Sequence, residues 1–226
     1  MTDFKSIISA ESVQWQQKGY FLQKGLFSNI EIKEIKSLVK ANLNPQENPN
    51  GIHVWWPGKI PEKIKESICN PRFIEPLKTV FPGDIEFLSV KAVFKTGKVS
   101  YGSPWHQDAS YWGGSTKVSA WVSLDNVTPE NGCLRVIPGS HACHLEHNKK
   151  QSEVAFDSYL DPSQIDLSSV VDVHMTAGDV LFFHDLLVHS SYPNQNGADR
   201  WSLIPTFRSG EEPDSSKVWS DSVRLS

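Results

Sequence analysis

Cysteine is scarce and its spacing is unpaired: Cys69, Cys133 and Cys143 are the three present, an odd number without a Cys-x-x-Cys pair. This argues against a secreted disulfide framework and a cysteine-based zinc module, and it fits a reducing compartment. No run of about 18 apolar residues exists, as a membrane-spanning helix needs, and residues 1–10 lack the basic region and apolar run of a leader. The expectation is a soluble, cytoplasmic protein without a membrane partner. An excess of basic charge is missing too: 22 Lys and Arg against 26 Asp and Glu give a formal net charge of −4. Spread along the chain, these residues leave no electrostatic footprint for nucleic acid, so small molecules are the expected partners. Internal repeats and low-complexity tracts are also absent.

Aromatic residues, by contrast, are plentiful, with eight Trp and eleven Phe. Hydrophobic residues at 38% and charged residues at 21% suit a globular protein. A chain of 226 residues can bury a core without disulfides, and one domain over 1–226 is expected.

Residues 1–84 read as a mostly helical flank. A short helix is expected over 9–18, and Tyr20-Phe21-Leu22 looks extended. Ser28-Asn29-Ile30-Glu31 forms a capping box, after which Ile32, Ile35, Leu38 and Val39 recur at helical spacing to about Asn42. A Pro- and Asn-rich loop over 44–58 holds His53, Trp55 and Trp56, and short helices follow near 61–68 and 71–80. From Ile85 the pattern turns to short Val-, Phe-, Trp- and Ser-rich runs between turn residues. Strands are expected at about 85–95, 104–108, 118–125, 133–137, 170–175, 179–183, 187–192 and 200–208. Eight strands suggest a double-sheet jelly roll over 85–208, so the fold class expected is mainly β with flanking helices. The long polar segment 139–169 is a candidate lid loop.

On an extended strand residues i and i+2 point the same way, so His106 and Asp108 can share one cavity while Gln107 faces away. One imidazole and one carboxylate leave a first-row metal under-coordinated. A second His from a distant strand would complete a two-His-one-carboxylate face with three open positions, which suits non-haem Fe(II). Alone, the pair also reads as a surface His near a solvated Asp. The downstream stretch Gly178-Asp179-Val180-Leu181-Phe182-Phe183-His184-Asp185-Leu186-Leu187-Val188-His189 offers two candidate partners, His184 and His189, either of which also reads as a satisfied core residue. His141, His144 and His147 stand at spacing three without a Cys or Glu-Xaa-Xaa pattern to partner them, and read as solvated histidines rather than a zinc site.

Taken together these motifs resemble the phytanoyl-CoA dioxygenase-like (PhyH) branch of the Fe(II)/2-oxoglutarate oxygenases. The resemblance runs from Gly19-Tyr20-Phe21 through Trp105-His106-Gln107-Asp108, Ser119-Ala120-Trp121-Val122-Ser123-Leu124, Glu130-Asn131-Gly132-Cys133-Leu134 and Pro138-Gly139-Ser140-His141 to the 178–189 stretch and Arg200. It implies a cupin-like, double-stranded β-helix fold and a hydroxylase using Fe(II), 2-oxoglutarate and O2, with release of succinate and CO2. By the same resemblance His106, Asp108 and His189 are metal ligands. Arg200, eleven residues after His189, holds the far carboxylate of 2-oxoglutarate; this spacing leaves His184 to structure. Ser191 matches a serine that assists Arg200, Trp121 an aromatic wall beside the co-substrate, and Lys91 a further 2-oxoglutarate contact.

Relatives that halogenate carry a small residue at the place of Asp108, so oxygenation is implied. Rival readings are a cupin-like metal-dependent hydrolase or isomerase, against which Arg200 speaks, and a non-catalytic binding protein, against which the intact triad speaks. For the substrate, Trp56, Tyr111 and Trp112 suggest a compact molecule with a flat or cationic part, held by loop aromatics near the iron.

Overall fold

The computed structural model describes residues 9–149, 156–219 and 221–225. Ser9 accepts from the Ser12 N–H and starts α1 (Ala10–Lys18), which Gly19 ends in left-handed backbone at φ 78°. After β1 (Tyr20–Gln23), Ser28 and Glu31 close a reciprocal capping box on α2 (Asn29–Ala41), whose Ile32, Ile35 and Val39 form the buried stripe. The stretch 44–58 holds a strand that its Pro- and Asn-rich flanks conceal: β2 (Ile52–Trp55) pairs from Ile52 opposite Val93 to Trp55 opposite Val90. Four residues are too few to show alternation against such a background. Helices α3 (Glu62–Ile68) and α4 (Pro71–Ile74) follow, the latter running into a 3-10 turn at Glu75–Thr79.

The rest of the chain is mostly β. It comprises β3 (Ile85–Lys95), the single turn α5 (Ala109–Trp112), β4 (Lys117–Ser123), β5 (Leu134–Val136), β6 (Asn148–Lys149), β7 (Ser158–Tyr159), β8 (Val171–Val173), β9 (Val180–His184), β10 (His189–Ser191), β11 (Arg200–Ser209) and β12 (Val223–Leu225). The larger sheet runs β1-β9-β4-β11-β3-β12 with β2 also on β3, and the smaller runs β10-β5-β8. One face of the larger sheet, with Ala120, Val122, Phe182 and Leu203, packs against Ile32, Ile64 and Phe73 of the helices. Its other face, with Trp121, Leu181 and Phe183, meets Leu134, Val136 and Val173 of the smaller sheet. Covered on both sides, β4 is buried at all seven positions. The architecture is a double-sheet jelly roll with helices outside the larger sheet.

Two expectations need correction. Residues 104–108 do not form a strand: His106 pairs with His189 as an isolated bridge, and Asp108 is already helical at φ −57°, ψ −33°. Pro104 has no N–H for a ladder, and Asp readily starts a helical turn. The polar segment 139–169 is also more ordered than a loop, with a 3-10 turn at Ser140–Ala142, the β6–β7 hairpin, and turns at Pro162–Gln164 and Leu167–Ser169. Residues 150–155 of it lie outside the described residues.

Candidate metal centre

The backbones of His106 and His189 exchange two hydrogen bonds, each N–H donating to the other's carbonyl at 3.0 Å. Each ring is then oriented by its Nδ1–H, which donates at 2.8 Å to the carbonyl of Pro104 for His106 and of Leu187 for His189. A carbonyl only accepts, so the proton is on Nδ1 and each Nε2 presents a lone pair. Both lone pairs converge on Asp108, whose Oδ1 lies 3.6 Å from Nε2 of His106 and 3.9 Å from Nε2 of His189. The Ser119 hydroxyl donates to Asp108 Oδ2 at 3.2 Å, which leaves Oδ1 for another partner. The three donor atoms lie within 4.8 Å of one another on buried residues, and among the described residues no other group of His, Cys, Asp or Glu does so. A divalent first-row ion, bound at about 2.0–2.2 Å from each N or O donor, gathers ligands to this range of separation.

Charge in the site suits metal binding. Burial opposes ionisation of Asp108, but Lys91 and the two imidazoles outweigh it and hold the carboxyl below the usual carboxylate range. Burial, then His106, pushes His189 down to about 4, so it is neutral and free to ligate at physiological pH.

Arg200, the first residue of β11, is 1% exposed. Its guanidinium donates to Ser202 Oγ at 3.1 Å and to the Gly132 carbonyl at 3.0 Å, and lies 5.1 Å from the Trp121 ring. Nε has no hydrogen-bond partner, and no carboxylate among the described residues forms an ion pair with Arg200. Asp125, the acid that acts on it at longer range, is engaged by Lys36 and the Trp201 N–H.

Opposite Arg200 in register stands Lys95, which donates to Ser191 Oγ at 2.9 Å and to the Tyr192 carbonyl. Burial pushes Arg200 down to about 10, and burial together with Arg200 pushes Lys95 down to about 7. Tyr101 and Cys133 are both pushed up to about 12 by burial and supply no negative charge here. A buried guanidinium with no directly paired carboxylate is costly to keep charged, so an anion at this end of the cavity would be stabilised.

The metal face and the anion end share one cavity of about 310 Å³. Of the residues singled out from sequence, His106, Asp108, His189, Arg200, Ser191, Trp121, Lys91, Trp56, Tyr111 and Trp112 all line it. Ser191, however, bonds to Lys95 and Ser103 and not to Arg200, whose hydroxyl partner is Ser202. Ser202 lies two residues along the same strand and so shares Arg200's face, whereas Ser191 reaches Lys95 first. Tyr111 donates its O–H to the Ser158 carbonyl at 2.7 Å, and Trp112 Nε1 donates to Asp185 at 3.2 Å, so both use their polar ends in the scaffold.

Sequence reading did not single out Lys95, Phe156 or Trp219, although Lys95 carries a signal, four residues after Lys91 on one face of a strand. His184 lies outside the metal group: its Nδ1 accepts from the Leu186 N–H at 3.0 Å and its ring stacks on Trp15. His147 is not simply solvated. Its Nε2 accepts from the Gln107 N–H at 2.9 Å, and His141 packs beside His184, while His144 is exposed. Gln107 itself is fully buried and faces away from the metal group, as expected. It donates to the carbonyls of Cys143 and Leu186 and accepts from the Leu145 N–H.

The family model described as Phytanoyl-CoA dioxygenase (PhyH) matches residues 15–202. Peroxisomal phytanoyl-CoA dioxygenase of Bos taurus is 34% identical over 85% of this chain and 66% of its own length. L-proline trans-4-hydroxylase of Streptomyces griseoviridis is 29% identical over 61% of this chain and 59% of its own. The chain thus spans about three fifths to two thirds of the length of these two curated relatives. The crystal structure of the epimerase SnoN in complex with Fe3+, alpha ketoglutarate and nogalamycin RO shares the fold, with a TM-score of 0.70 over 88% of this chain and 82% of that one at 18% identity.

Proposed function

Since the chain belongs to the phytanoyl-CoA dioxygenase family, we propose that it is an Fe(II)- and 2-oxoglutarate-dependent dioxygenase that hydroxylates a C–H bond of a small molecule. The observation that carries this reading is Arg200: a buried guanidinium with a free Nε and no carboxylate partner among the described residues, in one cavity with a two-His-one-carboxylate face. A hydrolase or isomerase that needs only the metal gives no reason for that uncompensated charge.

Iron with 2-oxoglutarate and O2 supplies the oxidising power for C–H cleavage, with succinate and CO2 as co-products, which side chains alone do not provide. His106, Asp108 and His189 would hold the ion from one side and leave the cavity side open. Because the Asp108 carboxylate fills the third protein position, the reading is oxygenation and not halogenation. Arg200 would grip the far carboxylate of 2-oxoglutarate through its planar fork, seconded by Lys95, while Trp121 beneath the guanidinium fixes its plane. The described parts of the 139–169 segment, 139–149 and 156–169, would cover the site and exclude water. Phe156 stands 5.2 Å from the His106 ring, and the Leu160 N–H donates to the Trp105 carbonyl at 2.7 Å.

Titration calorimetry with Mn(II) and then 2-oxoglutarate tests this. Arg200→Ala should keep the metal and lose about 2–5 kcal/mol of co-substrate binding, roughly 30-fold or more in affinity. Equal 2-oxoglutarate affinity in a folded, metal-loaded Arg200→Ala would refute it.

A further inference from the structure

We propose that the substrate carries a carboxylate on a compact, flat apolar body, and that Lys91 holds this carboxylate at the aromatic mouth of the cavity. The inference rests on the oxygenase reading above and deepens it.

Three cationic side chains line the cavity, Lys91, Lys95 and Arg200, against one carboxylate, Asp108. Arg200 and Lys95 stand opposite each other at the anion end, where the far carboxylate of 2-oxoglutarate satisfies both. Asp108 is spent on the metal. Lys91 is left over. Four residues before Lys95 on β3, its Cα lies about 13 Å from that of Lys95 along the strand. The charge of Lys91 acts on Asp108 through space, but among the described residues its ammonium makes no direct ion pair or hydrogen bond, and it sits 5.1 Å over the Trp112 ring.

A cation poised over an aromatic face and open to a cavity is a ready partner for an anion. Lys91 itself fills the cation position over Trp112, so the cationic substrate part suggested by the loop aromatics gives way to an anionic one.

The surroundings set the rest of the shape. Trp112 and Trp219 have ring centroids 5.1 Å apart, and Trp219 is steadied by its Nε1 donation to Ser89 Oγ at 3.2 Å. Trp56 stands at the rim, 42% exposed. These rings offer flat apolar surface beside one ammonium. The volume of about 310 Å³ is at the low end for small-molecule sites, and the co-substrate takes part of it. The reacting part of the substrate is therefore compact.

The test uses protein loaded with Mn(II) and saturating 2-oxoglutarate, titrated with three probes of one shape: 2-naphthylacetate, 2-naphthylacetamide and 2-(2-naphthyl)ethylamine. The acid should bind about tenfold or more tighter than the amide, and the amine weakest of all. Lys91→Met should weaken the acid about tenfold more than it weakens either the amide or 2-oxoglutarate, and Lys91→Arg should restore the preference. The proposal is overturned if the amine binds best, if none of the three binds, or if Lys91→Met weakens 2-oxoglutarate as much as the acid, which would make Lys91 a co-substrate contact. A wild-type protein that binds Mn(II) but no 2-oxoglutarate would instead bring down the oxygenase reading, and this inference with it.

Discussion

Lys95 shows how burial turns an ordinary side chain into part of a site. It is pushed down to about 7, mainly by burial and then by the charge of Arg200, while Cys133 beside it stays protonated. Its folded-state value lies below the unfolded one. Between about pH 7 and the usual lysine range of about 10.4 the unfolded chain therefore binds more protons, and the stability of the empty protein rises with pH across that window. Co-substrate binding has the opposite slope, because a dicarboxylate favours the ammonium. Affinity for 2-oxoglutarate should fall as pH rises through 7, by at most about tenfold per unit, and Lys95→Met should flatten the profile. Calorimetry at pH 6.5 and 8.5 decides this, and a flat profile for the unaltered protein would rule it out.

At this scale the sequence was legible where a residue's chemistry is distinctive. His106 and Asp108 stand out by type and spacing, whereas the choice of His189 over His184, and Arg200, came from the family resemblance. Lys95 did not stand out, because a strand lysine ordinarily snorkels to water, and only the register opposite Arg200 shows that it is buried.

Among the elements, the decisive one is the short bridge that ties 104–108 to β10. Sequence reading expected a strand there, which would project His106 and Asp108 together by alternation. The observed geometry is a single bridge followed by a helical turn, and it reaches the same convergence by another route. Proline before the bridge and an Asp at the turn are local signals, but choosing between strand and bridge needs the partner strand, which no local window contains.

Gln107 anchors this element from behind. Its amide is matched on all sides by Cys143, Leu186 and Leu145, so Gln107→Leu would leave two carbonyls and one N–H, all partly buried, without their partner. Each unmet group costs about 1–3 kcal/mol, and partial relaxation should leave a melting temperature lower by roughly 5–10 °C for a chain of this size. Faster amide exchange over 143–147 should accompany it. A variant that melts within a degree of the parent would show that the clamp carries no weight.

For the whole molecule, the jelly roll follows from two apolar faces on one sheet: helices cover one and the smaller sheet the other. The count of short apolar runs and the capped amphipathic helices made this class readable. Contributions from far along the chain did not show. Trp219 enters the cavity from 107 residues beyond Trp112, and β2 joins β3 from inside a polar loop. Both are long-range pairings whose energy lies in the partner surface, not in their own short segments.

What the assembly is for comes down to one reaction. Protein purified without oxygen is supplied with Fe(II) and carbon-labelled 2-oxoglutarate, opened to O2, and assayed for labelled succinate and CO2. Equal, iron-dependent amounts of the two are expected even without the substrate, lost in His189→Ala and retained in His184→Ala. Absence of succinate from folded, iron-loaded protein, or undiminished succinate from His189→Ala, would show that these residues do not form a 2-oxoglutarate oxygenase centre.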